Sequence, residues 1–229
     1  MYKRQGQSSP YLWISLKGQG KAKEQVLFDT GAQGFYDLSF HSFQTLDDLQ
    51  VFDQVETAHG YKGLGLFGVA EPSLHYRVLV PEISVLGTVF ENVISISTTA
   101  VKSRIGADIL KYGKVTLDYK HQKFYFEPFE NRVDLSEEVW DLSPTMKDSS
   151  LVVGLVWQDE LVKRVQCGDK ILQINEMNIE DLELCDLLLQ ELPFKNKTSV
   201  KITLKDSLGE QQSFDLKKQW KTLTTASDE

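Results

Sequence analysis

The chain is poor in cysteine, in clustered histidine and in long apolar runs. Its 229 residues include two cysteines, Cys167 and Cys185, and no C-x-x-C pair. Both are read as small buried apolar residues, the usual place of a free cysteine. A disulfide between them is left open, because spacing does not decide it. The four histidines, His41, His59, His75 and His121, are scattered, and none sits at metal-ligand spacing from another. No metal and no other cofactor is expected. Apolar stretches such as Leu151 to Trp157 are far too short to span a bilayer. Positive charge is in deficit, with 25 Lys and Arg against 33 Asp and Glu and a formal net charge of −8. Such a chain repels phosphate backbones, which argues against a nucleic-acid partner.

What is present fits a globular protein of one large or two small domains. No apolar signal segment precedes the first strand-like stretch. Residues 1–9 are expected to be disordered or artefactual. Met1-Tyr2-Lys3-Arg4-Gln5 resembles the translation of a sequencing-library transposon end, so an N-terminally truncated fragment is expected. Residues 10–128 read as mainly β. "YLWISL" (Tyr11 to Leu16) and "EQVLFDT" flank "KGQGK", whose glycines suit a hairpin turn. "RVLVPEISVLG", "VFENVISIST", "GKVTLDY" and "QKFYFEP" follow, rich in Val, Ile, Phe and Tyr. Short strands separated by glycine predict a closed or two-layer β domain with one short helix. Residues 129–138 are polar and are expected to be a linker. Residues 139–220 predict a small α+β domain, with a helix over Glu180 to Leu192 stopped by Pro193. A hairpin is expected around Ser207-Leu208-Gly209, and 221–229 reads as a flexible tail.

One stretch carries chemistry. Val26-Leu27-Phe28 runs straight into Asp29-Thr30-Gly31-Ala32. Asp, Thr and Gly are common turn residues, so a polar cap on a turn is one reading. The other is a carboxylate held for a substrate. Peptide hydrolysis by water needs a base to take a proton from the nucleophile and an acid to protonate the leaving amine. Two carboxylates about 3 Å apart supply both, since repulsion keeps one of them protonated. The strand end would fix Asp29, Gly31 would let an amide approach its carboxylate, and the Thr30 hydroxyl would bond across to a neighbouring turn. Ala32 is small enough for a close-packed neighbour.

Two later features accompany the turn. "ETAHGYKGLGLFGVAEP" contains Gly60, Gly63, Gly65 and Gly68, and lacks the Gly-Lys-Ser/Thr of a phosphate loop. "SRIGADILKYGKVTLDY" places Ile105-Gly106 before a short helix at Ala107 to Lys111, with Asp108 read as a helix-start residue. Together, over residues 10–128, these elements resemble the retropepsin-like aspartyl proteases. Arg104, in "RIG", departs from the family's apolar residue. The resemblance implies Asp29 as the catalytic carboxylate, with Thr30, Gly31 and Ala32 shaping its turn. It implies a flap that includes Gly60, Tyr61, Gly63, Leu64 and Gly65, and a polypeptide substrate. No second D-[TS]-G occurs, since Asp148-Ser149-Ser150 and Asp206-Ser207-Leu208 lack the glycine. The second aspartate is therefore expected from a homodimer partner or from an upstream repeat.

"VQCGDKILQINEMNIEDLELCDLLLQEL" resembles a PDZ domain, with Gly168-Asp169 as a structural turn. The resemblance implies peptide capture by strand addition. Its carboxylate loop falls on Trp140, Asp141 and Leu142, where Asp141 disfavours a chain-end carboxylate. An internal segment, or the chain's own protease unit, is the alternative occupant. The whole chain resembles the C-terminal part of larger bacterial proteins in which two protease units precede a PDZ domain, which implies a periplasmic or secreted location. The rival expectation is a non-catalytic peptide- or protein-binding protein in which Asp29 only caps a turn.

Overall fold

A computed structural model describes residues 9–62, 64–65, 68–69, 71–189, 192–194 and 197–220. Residues 1–8 and 221–229, and with them most of the expected terminal segments, lie outside the described residues. The chain is mainly β. It divides into two compact units. The first runs through Glu56 and resumes at Tyr76–Glu137, and the second combines Thr57–His75 with Glu138–Trp220.

Strands β1 (Tyr11–Lys17) and β2 (Lys21–Phe28) pair antiparallel. Next come β3 (Tyr36–Asp37), helix α1 (Phe40–Asp48), β4 (Gln54–Gly60), the short pair β5 (Leu64–Gly65) and β6 (Gly68–Val69), and β7 (Ser73–Val85). β8 (Thr88–Ile96) and β9 (Arg104–Ile105) precede a 3-10 helix at Ala107–Lys111. β10 (Gly113–Asp118) and β11 (Lys123–Pro128) form their own hairpin, and β12 (Arg132–Asp134) follows. The main sheet has the order β12-β8-β7-β1-β2-β9-β3, with β4 on β7. Within residues 129–138, where a linker is expected, β12 runs parallel to β8, and Val133 and Leu135 pack on the core.

Alternation in β1 does what the sequence suggests. Leu12, Ile14 and Leu16 are buried, while Trp13 between them stays exposed. They meet Val26, Phe28, Val80, Ile83, Phe90 and Ile105 in one core. The hairpin expected at "KGQGK" is present, with Lys17 opposite Lys21, and its glycines also serve a second purpose. Gly18 and Gly20 are absent from the residues with positive φ. A Cβ on Gly20 would stand 1.8 Å from the Leu49 carbonyl oxygen, and one on Gly18 would stand 2.4 Å from that of Val51. They are small because the chain leaving α1 passes over the hairpin, where the Gly20 N–H donates to the Gln50 carbonyl.

Helix α1 corrects the expectation of a single short helix. Ser39 caps it, its Oγ accepting from the His41 N–H. Phe43 and Leu46, three apart, are its buried face, and the Phe43 ring stacks on Tyr76 at 3.6 Å between centroids.

In the second unit, β13 (Glu138–Trp140), β14 (Leu142–Lys147) and β15 (Ser150–Val156) lead to α2 (Asp159–Val162), β16 (Lys170–Ile174) and β17 (Met177–Asn178). Helix α3 (Leu184–Leu189), β18 (Ser199–Lys205) and β19 (Gln211–Trp220) complete it. The sheet order is β13-β19-β18-β16-β15-β14, with β17 on β16, over a core that includes Leu142, Val153, Ile171, Ile174, Leu187 and Ile202. α3 begins at Leu184 rather than Glu180. The Glu180 N–H is drawn back to the Leu172 carbonyl, which keeps residues 180–183 out of the helix. Leu187 is buried while Cys185, two residues away, is exposed, and Cys167 is half-buried. Both thiols are free, so the expectation of two buried cysteines is corrected for Cys185, which lies on the helix face opposite Leu187.

Gly20→Ala is expected to cost about 1–3 kcal/mol, as overpacking against backbone does. Gly34 has φ +85° and open space around it, so Gly34→Ala adds only backbone strain, about 1–2 kcal/mol. Urea unfolding of the two variants measures both. A Gly20→Ala variant as stable as wild type would remove the close-approach account.

Candidate active site

Asp29 leaves the end of β2 at a point where the chain is gripped from behind. β9 lies between β2 and β3, parallel to the first (Phe28↔Ile105) and antiparallel to the second (Tyr36↔Ile105). The two strands that flank the Asp29 turn are thus joined by a segment about 75 residues downstream. The Leu27 N–H donates to the Ser103 carbonyl and the Asp29 N–H to that of Ile105. In the other direction, the Gly106, Ala107 and Asp108 amides donate to the carbonyls of Phe35, Ala32 and Gly34. The turn's backbone is therefore bonded on both sides.

Gly106 is where these segments cross. A Cβ there would lie 2.4 Å from the Gly34 oxygen and 2.6 Å from that of Ala32. Ile105 is fully buried, and Ala32 is buried beneath the turn. Asp108 pairs with Lys111 at 2.8 Å, a local bond within the 3-10 helix.

At the carboxylate, Asp29 Oδ1 accepts the Gly31 N–H at 3.0 Å. Oδ2 accepts from Arg104 Nη1 at 3.3 Å, and Arg104 Nη2 donates to Asp37 Oδ2 at 2.9 Å. The guanidinium stands between the two carboxylates, so Asp29 and Asp37 do not share a proton with each other. Asp29 is 32% exposed and Arg104 28%. Gly31 and Thr30 are exposed, and no hydrogen bond engages the Thr30 hydroxyl among the described residues.

Behind this triad lies a polar layer that sequence reasoning missed. Glu24 accepts from the Tyr36 hydroxyl and from Ser103 Oγ, each at 2.7 Å. Ser103 Oγ in turn accepts the Ser39 N–H at 2.8 Å. Burial first, and then the Glu24 carboxylate, push the Tyr36 phenol well above its ordinary range, which holds it as a donor. The layer ties β2, β3 and β9 together through side chains as well as backbone. The alternation of β2, which brings polar Glu24 between apolar neighbours, is its only trace in the sequence.

Of the residues expected in a flap, Gly60 ends β4 and Tyr61 follows it. Leu64 and Gly65 form β5, paired with β6, and Gly63 lies outside the described residues. Gly60, Tyr61, Leu64 and Gly65 fall in the segment that folds with the second unit. Trp140 ends β13 and stacks edge-on with Phe194 at 5.4 Å. Leu142 is fully buried at the start of β14. Asp141 between them is also buried, its carbonyl accepting the Trp157 N–H.

Asp148 and Ser149, both with positive φ, make the two-residue β14–β15 turn. Gly168 has φ +96°, and Asp169 Oδ2 accepts the Gln166 N–H at 2.8 Å, closing the turn before β16. Among the described residues there is no group of three or more His, Cys, Asp or Glu able to hold a metal ion, and no helix long and apolar enough to cross a membrane. No protein-family model matches the chain, and no curated protein matches it.

Gly106→Ala is expected to destabilise the chain by about 1–3 kcal/mol in urea unfolding, because backbone oxygens on the Asp29 turn must move. Arg104→Met should change stability by less than about 1 kcal/mol, since a partly exposed ion pair contributes little. If Arg104→Met were the more damaging of the two, the turn would be held by charge rather than by the crossing of strands.

Proposed function

We propose that the chain is one half-site of an aspartic endopeptidase of retropepsin type, followed by a PDZ-like module that recruits polypeptide. Asp29 acts with a second aspartate, from another copy of the chain or from an upstream repeat. The pair holds one proton and one water between its carboxylates. The ionised member takes a proton from the water as it attacks the peptide carbonyl, and the protonated member polarises that carbonyl and then supplies the leaving amine. The observation that carries this reading is the fixed, outward carboxylate. Asp29 stands at a strand end, with one oxygen oriented by the Gly31 amide and about a third of its side chain open. Thr30, exposed beside it, has a hydroxyl free for the matching turn of a partner. Gly60, Tyr61, Gly63, Leu64 and Gly65 belong to a flap that excludes water and bonds the substrate backbone. The second unit adds a peptide strand along β14, which ends its sheet.

Arg104 favours a second reading. Its guanidinium occupies the remaining Asp29 oxygen and bridges to Asp37. In a non-catalytic peptide-binding protein that triad is simply the stable end of the turn. In a protease, Arg104 must retain Asp37 and yield Asp29 Oδ2 to the shared water.

Asp29→Asn separates the readings. Cleavage of an unfolded protein substrate is expected to fall by about 10²–10⁴-fold or more, with the circular-dichroism spectrum unchanged. Cleavage that a transition-state mimic blocks in wild type should vanish in the variant. Light scattering under cleaving conditions should read twice the 26.1 kDa of one chain if two copies supply the dyad. Peptide binding without cleavage, equal in wild type and Asp29→Asn, would leave the binding protein as the answer.

A further inference from the structure

The segment between Glu56 and Tyr76 departs from the first unit's sheet and folds into the second unit. It is held there at close range. The Tyr61 N–H donates to the Gly154 carbonyl at 3.0 Å. Lys147 Nζ donates to the Tyr61 hydroxyl at 2.7 Å. A Cβ on Gly60 would lie 2.0 Å from the Gly154 oxygen and 2.9 Å from Cys167 Sγ. A Cβ on Gly154 would lie 2.5 Å from the Tyr61 oxygen. Two glycines thus face each other across one backbone contact, with a charged hydrogen bond at its edge.

The second unit is shaped to receive the segment. Gly154 lies on β15 opposite the register shift between Ser143 and Pro144, so Leu155 and Val153 pair with β14 while Gly154 does not. Its carbonyl is thereby free to accept Tyr61. Lys147 ends β14 immediately before the left-handed Asp148-Ser149 turn, which fixes the strand end that carries the ammonium. A larger residue at Gly60 or Gly154 would close this approach.

We propose that Gly154 and Lys147 are positioning residues for the flap, so that the second unit anchors the segment at Gly60-Tyr61 instead of serving only as a recruiter of polypeptide. This rests on the reading of the segment as a flap.

Cys167 reports the contact without any need for activity. It is half-buried under Gly60, and burial pushes its thiol up, with the Tyr61 amide and Lys147 opposing. Both effects of burial slow alkylation. The experiment uses the full chain with Cys185→Ser, so that Cys167 is the single thiol, and follows iodoacetamide labelling together with hydrogen exchange of the Tyr61 amide. Gly60→Ala is expected to raise labelling about tenfold and to expose the Tyr61 amide. Tyr61→Phe, which removes only the edge bond, should raise labelling about two- to fivefold without altering the circular-dichroism spectrum; Lys147→Ala also removes the cation over the Tyr61 ring and the charge that favours the Cys167 thiolate, so it is read by faster exchange of the Tyr61 amide. Labelling of Cys167 that is unchanged in Tyr61→Phe, or a Tyr61 amide that exchanges freely in wild type, would overturn the anchor. Protected Cys167 in a chain that forms a dimer and cleaves nothing would instead retain the anchor and remove the two-copy protease.

Discussion

Everything near Asp29 depends on two residues being threaded between two strands. Arg104 and Ile105 separate β2 from β3, and by doing so they bond both arms of the turn that carries the carboxylate. A hairpin turn is usually held by its own strands, and its tip moves with them. Here the arms are not paired to each other. They are paired to a third segment that closes a loop of some 75 residues. The entropic cost of that closure grows only slowly with loop length, so a distant segment is no great handicap once Ile105 is buried. In return, both arms of the Asp29 turn are hydrogen-bonded to a segment seated in the core. Gly106 is the condition for the arrangement, since the crossing leaves no room for a Cβ.

Charge is added to this frame, not built into it. Tyr36 and Ser103 are buried and bonded to the half-buried Glu24, and this layer links the three strands as a unit. The Arg104 bridge lies further out, where solvent weakens it. That ordering matters for chemistry. A carboxylate locked in a deep ion pair could not be recruited to share a proton. One that touches a guanidinium at 3.3 Å, while the same guanidinium holds Asp37 at 2.9 Å, has a weaker claim on it than its neighbour has. Displacing Arg104 from Asp29 leaves the cation paired, so it avoids the penalty of a stranded charge.

How much of this was legible in the sequence varies with the range of the interaction. Strands were legible, because alternation is local: Leu12, Ile14 and Leu16 announce the buried face of β1 without help. The 3-10 helix after Gly106 was legible from equally local signals, whereas the turn at Gly168-Asp169 was implied only by a resemblance. Helix α1 was not foreseen, although Ser39 as a cap and Phe43 with Leu46 on one face were there to be read. Arg104 stands out in the sequence, but its partners do not, since Asp29 and Asp37 are brought to it only by the threading of β9. The extent of α3 was overestimated because Leu182 continues the apolar pattern while the backbone before it is still bonded to β16.

The glycines make the same point more sharply. Sequence reasoning gives a glycine to a turn, because positive φ is its local privilege. At Gly87, Gly168 and Gly209 that is its use. At Gly20, Gly106, Gly60 and Gly154 the constraint is instead the oxygen of a distant backbone within 2.6 Å of the missing Cβ. These four lie where one part of the chain presses on another: the end of α1 on the first hairpin, β9 on the Asp29 turn, and Gly60-Tyr61 on β15. A glycine of the first kind tolerates alanine at the cost of local strain. One of the second kind transmits the substitution to the segment it faces. The positions most coupled to the Asp29 turn and to the Gly60-Tyr61 segment are therefore residues with no side chain at all.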